Sequence, residues 1–264
     1  MPEYVFDNAG DQTPNRFAAL ETLFDPGTFR HLDELGVAPG WRCLEVGGGS
    51  GSVARWLSKR VGASGQVVVT DIDPRHLGAF SEANVEVRQH DIVNDPLEQN
   101  YFDLVHTRLV LVHLSQREQA INRTFSSLRP GGWVLFEEFD SESMKPDPAV
   151  NPFETSLKTL EVLRRVMADR GVDMYFGRLI PGVLEANGFT NVSAEGRTFL
   201  FRGGSAGADM FRANAHQMHD ALVSSGQLTD KEFQADIARL DDPRVMWPSS
   251  VMWAVRGQRP LSPT

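Results

Sequence analysis

A glycine-rich loop between an apolar run and a helical pattern constrains this chain more than any other feature of its sequence. The residues LEVGGGSGS occupy positions 44–52, and the helical spacing of Ser52–Val61 begins where they end. Glycines allow a backbone to approach a ligand closely, and the first turn of a helix presents unpaired N–H groups. We therefore expect a strand–loop–helix unit that binds a nucleotide-like ligand.

Short β-branched runs alternate with helical patterns through the first half of the chain. The predicted strands are Arg42–Val46, Gln66–Thr70, Val85–Gln89, Phe102–His106 and Trp133–Glu138. The predicted helices between them are Ser52–Val61, Pro74–Phe80 and Arg117–Leu128, and the turn Arg129-Pro130-Gly131-Gly132 precedes the fifth strand. Strands separated by single helices favour an open α/β sheet whose parallel strands are joined by crossover helices.

The pattern after Asp140 is mainly helical. Pro146, Pro148 and Pro152 indicate a linker. The predicted helices that follow are Phe153–Arg170, Arg178–Asn187, Ala208–Ser224 and Asp230–Leu240, and the predicted strands are Val192–Arg202 and Ser250–Val255.

Charge, cysteine content and hydropathy exclude several classes of protein. The net charge of −9 argues against nucleic acid as a partner, and the single Cys43 excludes an intramolecular disulfide. No run approaches the roughly 20 apolar residues of a membrane span. The first residues, Met1-Pro2-Glu3-Tyr4, lack the pattern of a signal peptide, so we expect a cytoplasmic protein that does not bind membranes.

The spacing of the glycines leaves two nucleotide ligands open. Gly49, Gly51 and Ala54 fit the dinucleotide pattern G-x-G-x-x-A. Asp71 follows about 20 residues later, where an acid would bind a ribose. This pattern alone is compatible with NAD and with S-adenosylmethionine.

Further motifs favour S-adenosylmethionine. Glu45 precedes the glycines in the pattern E-x-G-x-G-x-G, which resembles the first motif of class I S-adenosylmethionine-dependent methyltransferases. The segments His90-Asp91-Ile92, Phe102–Val105 and Leu128–Gly132 are similar to later motifs of that family. Asp25-Pro26, the stretch Val105–Leu114 and the closing region are similar to small-molecule methyltransferases of bacteria. The resemblance implies a Rossmann-like α/β fold: a seven-stranded sheet with helices on both faces, an antiparallel last strand and helical cap insertions. Val192–Arg202 and Ser250–Val255 would supply its last two strands.

The resemblance also implies a cofactor site, with S-adenosylmethionine as methyl donor and S-adenosylhomocysteine as product. The residues expected to line it are Glu45, Gly47, Gly49, Gly51, Asp71, Ile72, Asp91, Ile92, Thr107 and Arg108. The glycine backbone and Glu45 would contact the methionine portion and its ammonium group. Asp71 would accept hydrogen bonds from the ribose hydroxyls, and Asp91 from the adenine amino group.

Each of these residues also has an ordinary structural interpretation. Asp71 and Asp91 could cap turns, although Asp73 is better placed to cap the segment that begins at Pro74. Ile92 could belong to the core, and Arg108 could form a salt bridge.

His113 is the candidate general base. It lies in Leu111-Val112-His113-Leu114 after the fourth strand, a segment that borders the methyl group in the resembling family. A histidine there could instead bond a backbone carbonyl. His216 and His219 share one face of a predicted helix and could reach the substrate or lie in solvent.

A metal ion is not expected. Thr107 and Arg108 occupy the place after the fourth strand where an acidic ligand would be needed. Glu137, Glu138 and Asp140 could coordinate a cation, but from one side only.

The chain is expected to form a single structural domain with three parts. Residues 1–40, including Tyr4, Phe6 and Arg16, would form an N-terminal helical lid, 41–140 the cofactor-binding core, and 141–264 the rest of the core with the substrate cap. The segments 141–175 and 203–248 are rich in methionine and aromatic residues, which favours a small aromatic or polyketide-like acceptor over a sugar or a protein.

Methylation of an oxygen atom in secondary metabolism is the favoured activity. The alternatives are N- or C-methylation, and an S-adenosylmethionine-binding protein that transfers no methyl group because it regulates or catalyses a cyclisation. An NAD-linked oxidoreductase is disfavoured by Glu45 and by the absence of a Tyr-x-x-x-Lys pair. The helices between Ala208 and Leu240 are a candidate homodimer surface.

Overall fold

A computed structural model describes residues 6, 10–78, 80–141 and 157–261. The chain divides into two compact units. The sheet unit comprises Asp25–Phe139, Phe176–Gly196 and Met252–Thr264, and the helical unit comprises Met1–Phe24, Asp140–Tyr175 and Arg197–Val251. Among the described residues, no helix combines the length and the apolar character needed to cross a bilayer.

Seven strands form the central sheet, in the order β3-β2-β1-β4-β5-β9-β6. Their bounds are β1 Arg42–Val46, β2 Gln66–Asp71, β3 Val85–Gln89, β4 Phe102–Arg108, β5 Leu128–Asp140, β6 Thr190–Arg197 and β9 Val251–Gln258. The first five strands are parallel to one another. This is the predicted Rossmann-like methyltransferase fold, and the five parallel strands lie where the sequence placed them.

The last strand runs antiparallel to the others, as predicted. Gly131 and Gly132, early in β5, exchange backbone hydrogen bonds with Arg259, which follows the end of β9. The start of β6 also meets the end of β9, because the Thr190 hydroxyl donates to the Gln258 carbonyl. The seventh strand is therefore inserted between β5 and β6.

Helices cover the apolar centre of the sheet. They are α1 Thr13–Glu34, α2 Ser52–Val61, α3 Arg117–Ser127 and α5 Phe176–Ala186. The α2 side chains Val53, Leu57 and Val61 pack on Cys43 and Val67 in one buried cluster. Cys43 is thus a core residue with no exposed surface.

The helical unit contains α4 Lys158–Asp169, α6 Ala206–Gln217, α7 His219–Ser224 and α8 Asp230–Arg239. A capping box begins α8, where Thr229 and Glu232 satisfy each other's backbone N–H groups. Two short strands, β7 Leu200–Arg202 and β8 Met246–Pro248, form a separate antiparallel pair.

Several predicted boundaries were wrong. The helix predicted over Pro74–Phe80 is only a 3₁₀ turn over Pro74–His76, and Gly78 then adopts a positive φ of 66°. The strand predicted over Val192–Arg202 divides into β6 and β7, which belong to different sheets. The helix predicted over Ala208–Ser224 breaks at Met218 into α6 and α7.

The remaining differences concern the ends of elements. The strand β5 begins at Leu128, so the predicted Arg129–Gly132 turn is part of the strand. The start of the helix predicted over Phe153–Arg170 and the prolines of the predicted linker lie outside the described residues, as does Tyr4.

Candidate functional site

The glycine loop leaves β1 in conformations that favour glycine. Gly47, Gly49 and Gly51 have φ values of 72°, 56° and 87°. A Cβ atom on Gly47 would lie 2.2 Å from Val110 Cγ2. The Gly47 and Gly48 N–H groups donate to the Thr70 carbonyl at 2.8 and 3.0 Å, which ties the loop to β2. The loop is therefore held tightly between the carboxyl ends of β2 and β4.

Asp71 ends β2 beside this loop. Its Oδ2 accepts the Gly49 N–H at 3.2 Å and its Oδ1 accepts the Asp73 N–H at 3.0 Å. Burial raises the pKa of this half-buried carboxyl, and the backbone N–H groups of Asp73, Gly49 and Ile72 oppose the shift. Ile72 is 60% exposed next to it. Asp73 caps the 3₁₀ turn by accepting the Arg75 N–H, as predicted.

Asp91 lies in a turn after β3. Its Oδ1 accepts the Val93 N–H at 2.8 Å, and its Oδ2 accepts the Asn94 amide at 2.6 Å. Ile92 is 6% exposed. These contacts fit the structural interpretation of both residues, and their contact with adenine stays a prediction.

A buried chain of charged groups crosses the carboxyl ends of β1, β4 and β5. His106 Nδ1 lies 2.6 Å from Glu45 Oε2, and His106 Nε2 lies 3.1 Å from Glu137 Oε2. None of the three residues is more than 3% exposed. Although burial alone would lower the pKa of His106, the two carboxylates raise it to about 9. We call Glu45, His106 and Glu137 the buried triad.

Arg108 and α1 extend this chain. Arg108 donates to Thr28 Oγ1 at 2.9 Å and to Asp25 Oδ1 at 2.8 Å. Thr28 in turn donates to Glu137 Oε2 at 2.5 Å. The salt bridge that was weighed for Arg108 is therefore present and largely buried. Beside it, Thr107 is 2% exposed, and its hydroxyl has no hydrogen-bond partner among the described residues.

Glu138 organises the turn that carries the candidate base. Its Oε1 accepts the N–H groups of Val110 and Leu111 at 3.0 and 2.7 Å, just before the 3₁₀ turn Leu111–His113. Its Oε2 is buried and unbonded within the described part of the chain. Burial raises the pKa of Glu138 to about 8, despite those N–H groups. His113 is half-buried at the end of this turn.

The described residues contain no cluster of three or more side chains suited to a metal ion. Glu137 and Glu138 are neighbours on a strand, so their side chains point to opposite faces of the sheet. In the helical unit, His219 bonds Asp220 at 3.0 Å and Asp230 at 2.9 Å, at the surface.

Sequence analysis missed His106, Thr28 and the pairing of Arg108 with Asp25. The available signal was a histidine inside the apolar run of a central strand, because a buried polar group needs a partner. Thr28 and Asp25 carried no comparable signal, since they lie on a helix distant in sequence.

The loop and Asp71 fit an adenosine-containing cofactor. The glycine loop offers backbone where a side chain would collide with Val110. An ionised carboxylate has about four acceptor positions. Asp71 accepts the N–H groups of Gly49 and Asp73, and the Ile72 N–H also bonds the carboxylate, so a position remains for a ligand hydroxyl.

Comparisons with known proteins agree with this geometry. A family model described as a methyltransferase domain matches residues 10–194. The ubiquinone/menaquinone biosynthesis C-methyltransferase UbiE of Laribacter hongkongensis is 31% identical over 150 residues, which cover 54% of this chain and 60% of that protein. The chain thus spans less than two thirds of the length of this relative.

Two solved structures share the fold. Phosphoethanolamine N-methyltransferase 2 of Haemonchus contortus, bound to phosphomonomethylethanolamine and S-adenosylhomocysteine, superposes with a TM-score of 0.56 at 16% identity, covering 92% of this chain and 56% of that one. A Bacillus halodurans protein assigned as a methyltransferase gives a TM-score of 0.58 at 16% identity, covering 88% and 98%.

Proposed function

The chain belongs to the methyltransferase-domain family and is a class I S-adenosylmethionine-dependent methyltransferase, and from this premise we propose that it methylates a hydroxylated aromatic small molecule. The observation that carries the cofactor part of the proposal is the position of the Asp71 carboxylate beside the glycine loop, with acceptor capacity left for a ligand hydroxyl. This arrangement suits the ribose and methionine portions of one extended ligand.

Under this proposal, the residues at the carboxyl ends of β1 and β2 hold the cofactor. The backbone of Gly47, Gly49 and Gly51 contacts its methionine portion, and Asp71 accepts hydrogen bonds from its ribose hydroxyls. S-adenosylmethionine supplies a methyl group activated by a positively charged sulfur. The protein then has to keep an acceptor close, aligned and shielded from water.

His113 is our candidate for activating the acceptor. A phenol becomes a strong nucleophile when it loses its proton, and a half-buried imidazole can accept that proton. The turn that carries His113 is fixed by the contacts of Glu138 with Val110 and Leu111. We therefore favour methylation of a phenolic oxygen.

Carbon methylation is the second candidate. The Laribacter relative is named a C-methyltransferase, and its similarity covers about half of this chain. A phenolate shares its negative charge between the oxygen and the neighbouring ring carbons, so the same base would serve both reactions. The position of the new methyl group distinguishes them.

The cofactor assignment is tested by calorimetric titration with S-adenosylmethionine, S-adenosylhomocysteine and NAD. We expect Asp71→Asn to weaken the binding of S-adenosylmethionine and S-adenosylhomocysteine at least about tenfold, because a charge-assisted hydrogen bond is lost. Asp73→Asn is the matched control, since Asp73 is a nearby carboxylate that only caps a turn. Binding of NAD alone, or equal losses in both variants, would refute the assignment.

The acceptor is tested with methyl-labelled S-adenosylmethionine and a panel of phenols, quinols and amines. Label on a phenolic oxygen or ring carbon is expected, with a His113→Gln variant slower at the chemical step. Cofactor binding without any methyl release would favour the alternative of a protein that transfers no methyl group. Label on amines alone would contradict the proposed acceptor class.

A further inference from the structure

The buried triad is built by neighbouring strands in register. Glu45 on β1 lies opposite His106 on β4, and His106 lies opposite Leu135 on β5. Residues two apart on a strand share a face, so Glu137 points to the same side as Leu135 and His106. Strand pairing therefore places an imidazole between two carboxylates, on the face of the sheet that Thr28 of α1 also contacts.

Hydrogen-bond counting requires two protons in the buried triad, one on each side of the imidazole. A neutral imidazole has one donor and one acceptor, but both ring nitrogens of His106 meet carboxylate oxygens, at 2.6 and 3.1 Å. Arg108 donates to the Thr28 oxygen, so the Thr28 hydroxyl must direct its own proton to Glu137. The Thr28 hydroxyl is thus aimed at a carboxylate, and Arg108 donates to Thr28 and to the Asp25 carboxylate. An imidazolium between two ionised glutamates satisfies all of these bonds.

The buried group as a whole carries excess negative charge. Glu45, Glu137 and Asp25 are anions, whereas His106 and Arg108 are cations, which leaves one net negative charge. A buried charge without a counterion is costly. Glu45 lies two residues before Gly47, near the end of the strand that leads into the glycine loop, so the Glu45 end of this charged group is next to the candidate cofactor site.

We propose that His106 is a positioning residue that, held by Glu137, keeps the Glu45 carboxylate ionised and aimed beside the glycine loop to recognise the ammonium group of the cofactor. The proposal rests on the proposed function. Glu45 is 3% exposed and would favour its neutral form if it were alone. Burial raises the pKa of Glu45, and the charge and hydrogen bond of His106 oppose that shift and favour the ionised form. Thr28 and Arg108 hold the far side of the triad in place.

A pair of probes isolates this role. S-adenosylhomocysteine carries the ammonium group, whereas methylthioadenosine has the same adenosine but no amino acid portion. In the wild-type protein we expect both to bind, S-adenosylhomocysteine more tightly. A general loss of structure would weaken both probes, but a loss of Glu45 positioning would weaken S-adenosylhomocysteine alone.

Two variants separate the two ends of the imidazole. The amide of His106→Asn can lie near the place of Nδ1 and still donate to Glu45, whereas that of His106→Gln reaches the place of Nε2 and faces Glu137. We expect His106→Gln to weaken S-adenosylhomocysteine about tenfold to a hundredfold. His106→Asn should weaken the binding of S-adenosylhomocysteine less. The affinity for methylthioadenosine should change less than about twofold in both variants.

Asp103→Asn is the matched control for stability. Asp103 is a buried carboxylate at the amino end of the same strand, where it pairs with Arg129 at 2.5 Å. The Asp103→Asn variant should lower the midpoint of thermal unfolding without changing the ratio of the affinities for S-adenosylhomocysteine and methylthioadenosine. An unchanged ratio in His106→Gln, or equal losses of both probes, would overturn the role of His106. If the wild-type protein bound neither probe, the proposed function itself would fail.

Discussion

Single residues of the glycine loop are constrained by their backbone and by their neighbours. Gly47 combines a positive φ of 72° with a position against Val110, whereas Gly62 has a similar φ of 63° but nothing within 4 Å of its missing Cβ. A side chain at Gly62 would therefore meet only backbone strain, whereas a side chain at Gly47 would meet both strain and a collision with Val110. Only Gly47 lies in the proposed site.

Gly47→Ala should be more damaging than Gly62→Ala. Both should lose about 1–3 kcal/mol of stability from the unfavourable backbone conformation. Gly47→Ala should lose more, and should also bind S-adenosylhomocysteine more weakly, because its new methyl group displaces Val110. Denaturant unfolding and calorimetry measure the two effects. Equal losses in both variants would mean that the contact with Val110 does not shape the loop.

Val110→Ala provides a second check on the same contact. It removes the Cγ2 atom that the new methyl group would strike. The double variant should therefore recover part of the affinity lost by Gly47→Ala but keep the backbone strain. No recovery would contradict a steric cause.

The sequence indicated some candidate site residues because their placement is local. The spacing of the glycines and the acid that ends β2 follow from the backbone of one strand–loop–helix unit, and Asp71 indeed bonds Gly49. His106 was missed because its role depends on Glu137, which lies on another strand, and on a proton count that only the assembled sheet provides. A local pattern cannot contain such information.

At the scale of elements, Glu138 joins β5 to the turn after β4. It accepts two backbone N–H groups with one oxygen, while its other oxygen lies buried. With the pKa of Glu138 raised to about 8, its side chain is mostly neutral at neutral pH. A neutral amide of the same shape should then replace it with little cost.

Glu138→Gln should change the free energy of unfolding by less than about 1 kcal/mol at neutral pH. Glu138→Ala should cost about 2–4 kcal/mol, because it leaves two N–H groups unbonded and creates a cavity. Urea unfolding of the two variants measures the difference. If Glu138→Gln lost as much unfolding free energy as Glu138→Ala, Glu138 would be ionised in the native protein.

The mistakes in predicted elements have physical causes. The apolar run over Val192–Arg202 fits a strand throughout, but its partner changes: β6 pairs in the large sheet, whereas β7 pairs with β8. Periodicity describes which faces are apolar and not which strand lies alongside. Between β2 and β3, Pro74 favours a helix start, but only one turn forms before Gly78.

At the scale of the whole molecule, the order of strands was predictable and the charge balance of the interior was not. Alternation of strands and helices favours a parallel sheet with crossover helices and leaves only a few strand orders, of which the structure has β3-β2-β1-β4-β5. The net charge of −9, however, describes the chain and not its interior, where carboxylates and cations meet at one end of the sheet. The way in which the free energy of unfolding changes with pH depends on those buried groups.

The buried triad predicts that stability decreases as the pH rises above neutral. The pKa of His106 is raised from 6.5 to about 9 in the native protein. Between those values, the native protein keeps a proton that the unfolded chain releases, so unfolding becomes easier as the pH increases. The loss should approach about 1.4 kcal/mol for each pH unit in this window.

Urea unfolding between pH 6 and 10 tests this dependence, with His106→Asn and Glu138→Gln compared to the wild type. The groups that face His106 are Glu45 and Glu137, and the charges of Arg108 and of His31 on α1 also act on Glu137. His106→Asn should remove the part of the slope that His106 contributes, which is the whole of the expected slope between about pH 8 and pH 9. The pKa of Glu138 is raised to about 8, so this group also makes stability fall as the pH rises, but only up to about pH 8. A slope above pH 8 that persists in His106→Asn would contradict an imidazolium in the triad.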